Sequence, residues 1–200
     1  MKLLLTSAGL ANEKVKNFFI SQFDRLDNKT ACIITSGRNA EEQFYIEGSI
    51  KELEDLGIKV IEFSIAKHES FVNFPLYDIY YVCGGNTFYI LDRMRKTGVD
   101  KILIDAVKKG KFYLGVSAGS IIPGPDIKAA GLGDPNDVNL SDLTGLKMTN
   151  LIITPHYNQK EESDVEKFKE KRKGETIIAI TDDQAVFIED GNYKIIGDNE

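Results

Sequence analysis

Short runs of aliphatic, β-branched and aromatic residues alternate along this chain with longer, charged stretches of helical spacing. That alternation restricts the fold more than any other feature. Residues 2–7, 31–35, 59–65, 78–83, 112–116 and 151–154 read as strands, most of them nearly continuous in apolar residues. Such runs belong to strands covered on both faces, the environment of a parallel sheet. Between them, residues 12–23 place Val15, Phe18, Phe19 and Phe23 at helical spacing. Residues 41–56 read as a second helix stopped by Gly57, a third runs from near Asn86 to about Lys96 before Gly98, and residues 100–109 form a fourth. The expected fold class is therefore α/β: a mostly parallel central sheet with helices on both faces.

The pattern changes after Ser120. Pro123, Gly124, Pro125, Gly131, Gly133 and Pro135 mark a long loop. Residues 161–173 read as a charged helix. Residues 176–181, 185–189 and 193–196 read as short strands, the last two joined by the hairpin signal Asp190-Gly191. No repeat, low-complexity tract or linker interrupts the 200 residues, so one domain spanning 1–200 is expected.

Composition excludes several functions. A formal charge of −6 disfavours nucleic-acid binding, which needs a basic patch. The most basic run, residues 167–173, is interrupted by Glu and reads as a solvated helix face. No stretch approaches the roughly 18 apolar residues of a membrane span. Residues 1–7 hold a single Lys and an apolar run shorter than a secretory signal needs. Cys32 and Cys83 sit in strand-like runs without metal-ligand spacing and read as buried thiols, so a reducing, cytoplasmic location is expected.

In parallel open sheets, ligands bind beyond the carboxyl ends of the strands. Four chemically capable segments fall at such ends: Gly84-Gly85-Asn86-Thr87, Ser117, His156 and Asp182. Gly115-Val116-Ser117-Ala118-Gly119 fits G-x-S-x-G, with a strand before it and a helix start after it. This turn lifts the Ser hydroxyl clear of the sheet and aims the next backbone N–H, that of Ala118, at an oxyanion. A small-residue turn cradling phosphate is the other use of such a segment. A nucleophilic Ser needs a base, and the chain has 2 histidines, His68 and His156. His68 lies in a polar loop, whereas His156 follows a strand at the expected sheet edge. The base in turn needs an acid to set its tautomer. Asp182 is the first choice and Asp134 the second, although each by itself also suits a turn. Gly85 is placed to supply a second oxyanion N–H, with Gly84 and Asn86 beside it at the substrate. The order Ser, His, Asp182 departs from the Ser, acid, His order of α/β-hydrolases.

Gly84-Gly85-Asn86-Thr87-Phe88, Gly115-Val116-Ser117-Ala118-Gly119 and Pro155-His156-Tyr157 together resemble the S51 serine peptidases, among them aspartyl dipeptidase and cyanophycinase. The resemblance runs over nearly the whole chain. It implies a class I glutamine-amidotransferase-like (flavodoxin-like) three-layer sandwich, with Ser117 as nucleophile, His156 as base and Gly85 in the oxyanion hole. Asp182 falls where aspartyl dipeptidases place a triad Glu, and Asp134 aligns with an Asp also proposed as the acid. The pattern departs at Glu161-Glu162-Ser163-Asp164, where those dipeptidases carry Gly-Glu-Thr-Arg. An Asp in place of that Arg repels an acidic substrate side chain.

The resulting expectation is a serine hydrolase, a peptidase that cleaves a small peptide or isopeptide through an acyl-enzyme. It needs no metal or organic cofactor, acts as a monomer or homodimer, and engages neither nucleic acid nor membrane. A non-catalytic module binding a small ligand in the same crevice is the alternative.

Overall fold

The computed structural model describes residues 1–37, 40–67, 76–160 and 162–197. Its elements, in chain order, are β1 (Lys2–Thr6), α1 (Glu13–Ile20), β2 (Thr30–Thr35), α2 (Ala40–Glu54), β3 (Lys59–Ser64), β4 (Ile79–Val82), α3 (Thr87–Thr97), α4 (Val99–Lys108), β5 (Phe112–Val116), α5 (Ala118–Ile121), β6 (Leu151–Thr154), α6 (Glu162–Glu170), β7 (Thr176–Ala179), β8 (Gln184–Glu189) and β9 (Asn192–Gly197). His68, the second histidine, and Glu161 lie outside the described residues.

Seven strands form one sheet in the order β3-β2-β4-β5-β1-β8-β9. The first five are mutually parallel, and β8 and β9 extend the edge antiparallel. The Asp190-Gly191 hairpin is the β8–β9 turn, with both residues at positive φ. Alternate strand residues bury on opposite faces, the period-2 geometry of a strand. Leu3, Leu5, Tyr80, Val82 and Tyr113 enter one apolar cluster with α3, α4 and α5. Leu4, Ile79, Tyr81, Phe112 and Leu114 enter the other with α1 and α2. Coverage of both faces is why these strands are continuously apolar, and it makes the three layers expected from the sequence.

Helix boundaries follow local chemistry. The Asn12 side chain accepts from the N–H groups of Lys14 and Val15 at the start of α1. Asn86 caps α3 by accepting from the N–H of Tyr89, and Gly98 ends it in a left-handed conformation.

Two features differ from the expectation. β6 and β7 pair with each other as a separate parallel sheet rather than joining the central one. The long loop after Ser120 is also more ordered than its turn residues imply. It contains a 3-10 helix, Lys128–Leu132, and buries Ile127, Ala129 and Ala130 against the α5 side of the core.

Candidate active site

The site is assembled at the neighbouring carboxyl ends of β4, β5 and β1, with β6 and β7 closing it from the side. Ser117 sits between β5 and α5 with φ 52° and ψ −111°. A non-glycine residue there is strained and persists only where its surroundings enforce it. They do so through contacts that exclude any larger residue. A Cβ on Gly115 would lie 2.2 Å from the Gly119 carbonyl oxygen, and one on Gly119 would lie 2.2 Å from the Val82 carbonyl oxygen. The Ser117 N–H donates to the Thr6 carbonyl at 3.0 Å, and the Ser120 hydroxyl donates to the Thr6 and Gly115 carbonyls at 2.7 and 2.9 Å. Tyr113, fully buried below, donates its hydroxyl to the Gly119 carbonyl at 2.7 Å. The Ala118 N–H opens α5, where first-turn donors lack intrahelical partners.

His156 follows β6 and also has a positive φ, 60°. Its Nε2 lies 2.9 Å from Ser117 Oγ and its Nδ1 lies 2.7 Å from Asp182 Oδ1. A carboxylate only accepts, so Nδ1 carries the proton toward Asp182 and Nε2 faces Ser117 as acceptor. Asp182 follows β7. Pairing between the two strands continues past their ends: Ile180 N–H donates to Thr154 O, and Tyr157 N–H to Ile180 O, each at 3.0 Å. This register brings the two residues together.

A residue that the sequence did not single out joins them. Ser7, at the end of β1, donates its hydroxyl to Asp182 Oδ1 at 2.5 Å and accepts the His156 backbone N–H at 2.8 Å. It is buried, as is its neighbour Thr6. The available signal was its position at a third strand end. Partial burial pushes the Asp182 carboxyl up. The hydrogen bonds from Ser7 and His156 outweigh it and hold the carboxyl below its usual value.

Asp134 is engaged elsewhere. Its Oδ2 accepts from the Thr87 N–H at 2.9 Å and the Thr87 hydroxyl at 2.6 Å, at the start of α3. Asn86, expected beside the substrate, has both ends of its amide in the scaffold, since Oδ1 caps α3 and Nδ2 donates to the Pro135 carbonyl at 2.7 Å. Gly84 abuts Ser117, with a Cβ placed there only 3.3 Å from Ser117 Cβ. Gly85 adopts φ +128°, which side chains disfavour. Cys32 and Cys83 are free and buried, and burial pushes the Cys32 thiol up to about 12, which keeps it protonated near neutral pH.

Two clefts flank Ser117. One of about 140 Å³ is lined by Thr87, Asp134, His156 and Asp164. The other, about 830 Å³, lies between α2 and the ends of β1, β4 and β5, and it reaches Ser117, His156 and Asp182. Among the described residues, no group of His, Cys, Asp and Glu has the arrangement of a metal site, and no helix is long and apolar enough to cross a membrane.

A parallel-sheet fold that hydrogen-bonds Ser, His and Asp at its strand ends has the layout of a hydrolase. The sequence profile of peptidase family S51 matches residues 3–196, and the chain belongs to that family. It is therefore a peptidase and not a non-catalytic binding module. It is 34% identical to an uncharacterized peptidase of Listeria monocytogenes serovar 1/2a over 171 residues, 82% of this chain and 83% of that one. It is 31% identical to peptidase E of Escherichia coli O1:K1 / APEC over 120 residues, 58% of this chain and 50% of that protein. A crystal structure described as a peptidase E protein of Listeria monocytogenes EGD-e superposes with a TM-score of 0.83 at 29% identity, covering 99% of this chain and 98% of that one.

Proposed function

We propose that this peptidase is a serine-type enzyme that cleaves a small peptide or isopeptide through an acyl-enzyme on Ser117. The observation that carries the reading is the unbroken chain from Ser117 Oγ through His156 to Asp182, at 2.9 and 2.7 Å. Its two links match the geometry of a nucleophile, a general base and an orienting acid. His156 Nε2 takes the Ser117 proton as Oγ bonds to the substrate carbonyl carbon, and it returns that proton to the leaving amine as the C–N bond breaks. His156 then takes a proton from water as the water oxygen bonds to the acyl carbon, and returns it to Ser117 Oγ as the acyl C–O bond breaks and the acid product leaves. Asp182 stabilises the imidazolium formed in each half-reaction, and Ser7 keeps the carboxylate ionised and aimed. The Ala118 and Gly85 N–H groups are assigned to the oxyanion, where one such donor is worth roughly 10²–10³ in rate.

We place the enzyme in the cytoplasm, acting as one domain, because the buried free thiols Cys32 and Cys83 suit a reducing compartment. A fluorophosphonate probe tests the central claim. Wild-type protein is expected to be labelled on Ser117 and Ser117→Ala to stay unlabelled. Absence of label on folded wild-type protein sinks the reading.

A further inference from the structure

We infer that the cleft between α2 and the carboxyl ends of β1, β4 and β5 is the subsite for a large, uncharged apolar side chain next to the scissile bond. The inference deepens the proposed function and rests on Ser117 being the attacking group. Size is the first argument. This cleft, about 830 Å³, opens on Ser117 and His156 and is several times larger than the cavity of about 140 Å³ on the other side. A small polar substrate would leave most of it filled with water against apolar walls.

The walls are the second argument. Tyr81, Cys83 and Val116 line the sheet side, and Phe44 and Tyr45 line the α2 side. Those two aromatics are 74% and 65% exposed, with ring centroids 5.7 Å apart. Adjacent exposed aromatics continuous with an apolar cleft mark a binding surface, because their burial by a ligand is favourable.

Charge is the third. Glu42, Glu47, Glu52 and Asp182 line the cleft, and Lys51, its one cation among the described residues, holds Asp55 at 3.0 Å. Asp134 and Asp164 line the smaller cavity. A substrate carboxylate side chain therefore meets like charge on either side of Ser117.

Gly48 provides the means to test this. It lies on α2, lines the cleft, and a Cβ built there meets nothing within 4 Å. Gly48→Phe thus projects into open space, and leaving Gly favours the helix. Ser117→Ala protein, titrated calorimetrically with Ala-Ala, Phe-Ala, Ala-Phe and Asp-Ala, reads the subsite without chemistry. One of the two Phe dipeptides is expected to bind about tenfold tighter than Ala-Ala, and Asp-Ala more weakly than Ala-Ala. The active enzyme is expected to show the same ranking in kcat/KM. Gly48→Phe is expected to melt no lower than wild type while the preference for Phe over Ala collapses to within about twofold. Equal binding of Phe and Ala dipeptides, tighter binding of Asp-Ala, no binding of either Phe dipeptide, or a preference untouched by Gly48→Phe each overturns the subsite. Failure of fluorophosphonate labelling instead strikes the Ser117 reading, and the calorimetric ranking then still decides what the cleft accepts.

Discussion

The two halves of the site are held differently. Ser117 rises from the middle of a seven-stranded sheet whose strands are covered on both faces, and Leu3, Leu4, Leu5, Tyr113 and Leu114 beneath it are all 0% exposed. His156 and Asp182 come from a two-stranded sheet, and their side chains are 49% and 63% exposed. Ser117 is fixed by close backbone packing, whereas His156 and Asp182 are fixed by a few hydrogen bonds. Ser7 joins the two halves, because it stands on the central sheet and bonds to both His156 and Asp182. Arg172 is a second tether. It forks onto Asp126 at 2.9 and 2.6 Å, joining the segment after α6 to the loop before the 3-10 helix.

The comparison breaks most visibly on activity. Ser117→Ala and His156→Ala are each expected to lower kcat by about 10⁴–10⁶, with the double variant little worse than either single one. Additive losses would show that the two halves do not act as a unit. Asp182→Asn is expected to lose about 10⁴ in kcat, because the amide favours the wrong imidazole tautomer. Asp134→Asn, which loosens a contact to Thr87, is expected to lose less than about tenfold. A reversed ranking would move the acid to Asp134.

Stability sharpens the contrast next. The Arg172 side chain is 9% exposed and that of Asp126 17%, so Arg172→Ala leaves a mostly buried carboxylate unpaired. A loss of about 3 kcal/mol is expected, roughly 6–12 °C in Tm for a chain of this size. Lys167→Ala, at 64% side-chain exposure, is expected to stay within about 0.5 kcal/mol. Burial pushes the Asp126 carboxyl up, but its bonds to Arg172 and the Lys128 N–H outweigh this and hold it low. A carboxyl depressed in the folded state stabilises above its unfolded value of about 3.9 and loses that contribution as pH falls through the folded value. The Tm gap between wild type and Arg172→Ala is therefore expected to be widest near pH 7 and to shrink in melts taken below about pH 4.

The effect at Ser7 is the most specific to the junction of the two halves. Ser7→Ala removes one hydrogen bond to a charged group and is expected to lower kcat by about 10–100-fold with KM little changed. The Asp182 carboxyl, followed by carbon NMR, is expected to titrate higher in this variant than in wild type. An unchanged midpoint would reduce Ser7 to a spacer.

Much of this was legible in the residues. The central strands were readable because double-sided burial demands continuous apolar runs, and residues 112–116 and 151–154 were read at their observed limits. The hairpin at Asp190-Gly191 was readable because its turn needs residues tolerant of positive φ. The elbow was readable because Gly115 and Gly119 have no room for a side chain. The partnering of β6 with β7 was not, since a buried strand carries no label for its neighbour. Nor was the role of Arg172. Residues 167–173 read as a solvated face, yet Arg172 finds Asp126 some 46 residues away. Charge runs reveal solvation only where no distant partner intervenes.

The sequence by itself determined the layers, the nucleophile candidate and the short list of its partners. These rest on local rules: strand periodicity, turn sterics, and the scarcity of histidine. Tertiary structure decided which acid faces His156, that Ser7 supports both, and that the larger cleft beside Ser117 is apolar with an acidic rim. These depend on how separate segments meet in space, set by strand order and by packing between elements far apart in the chain.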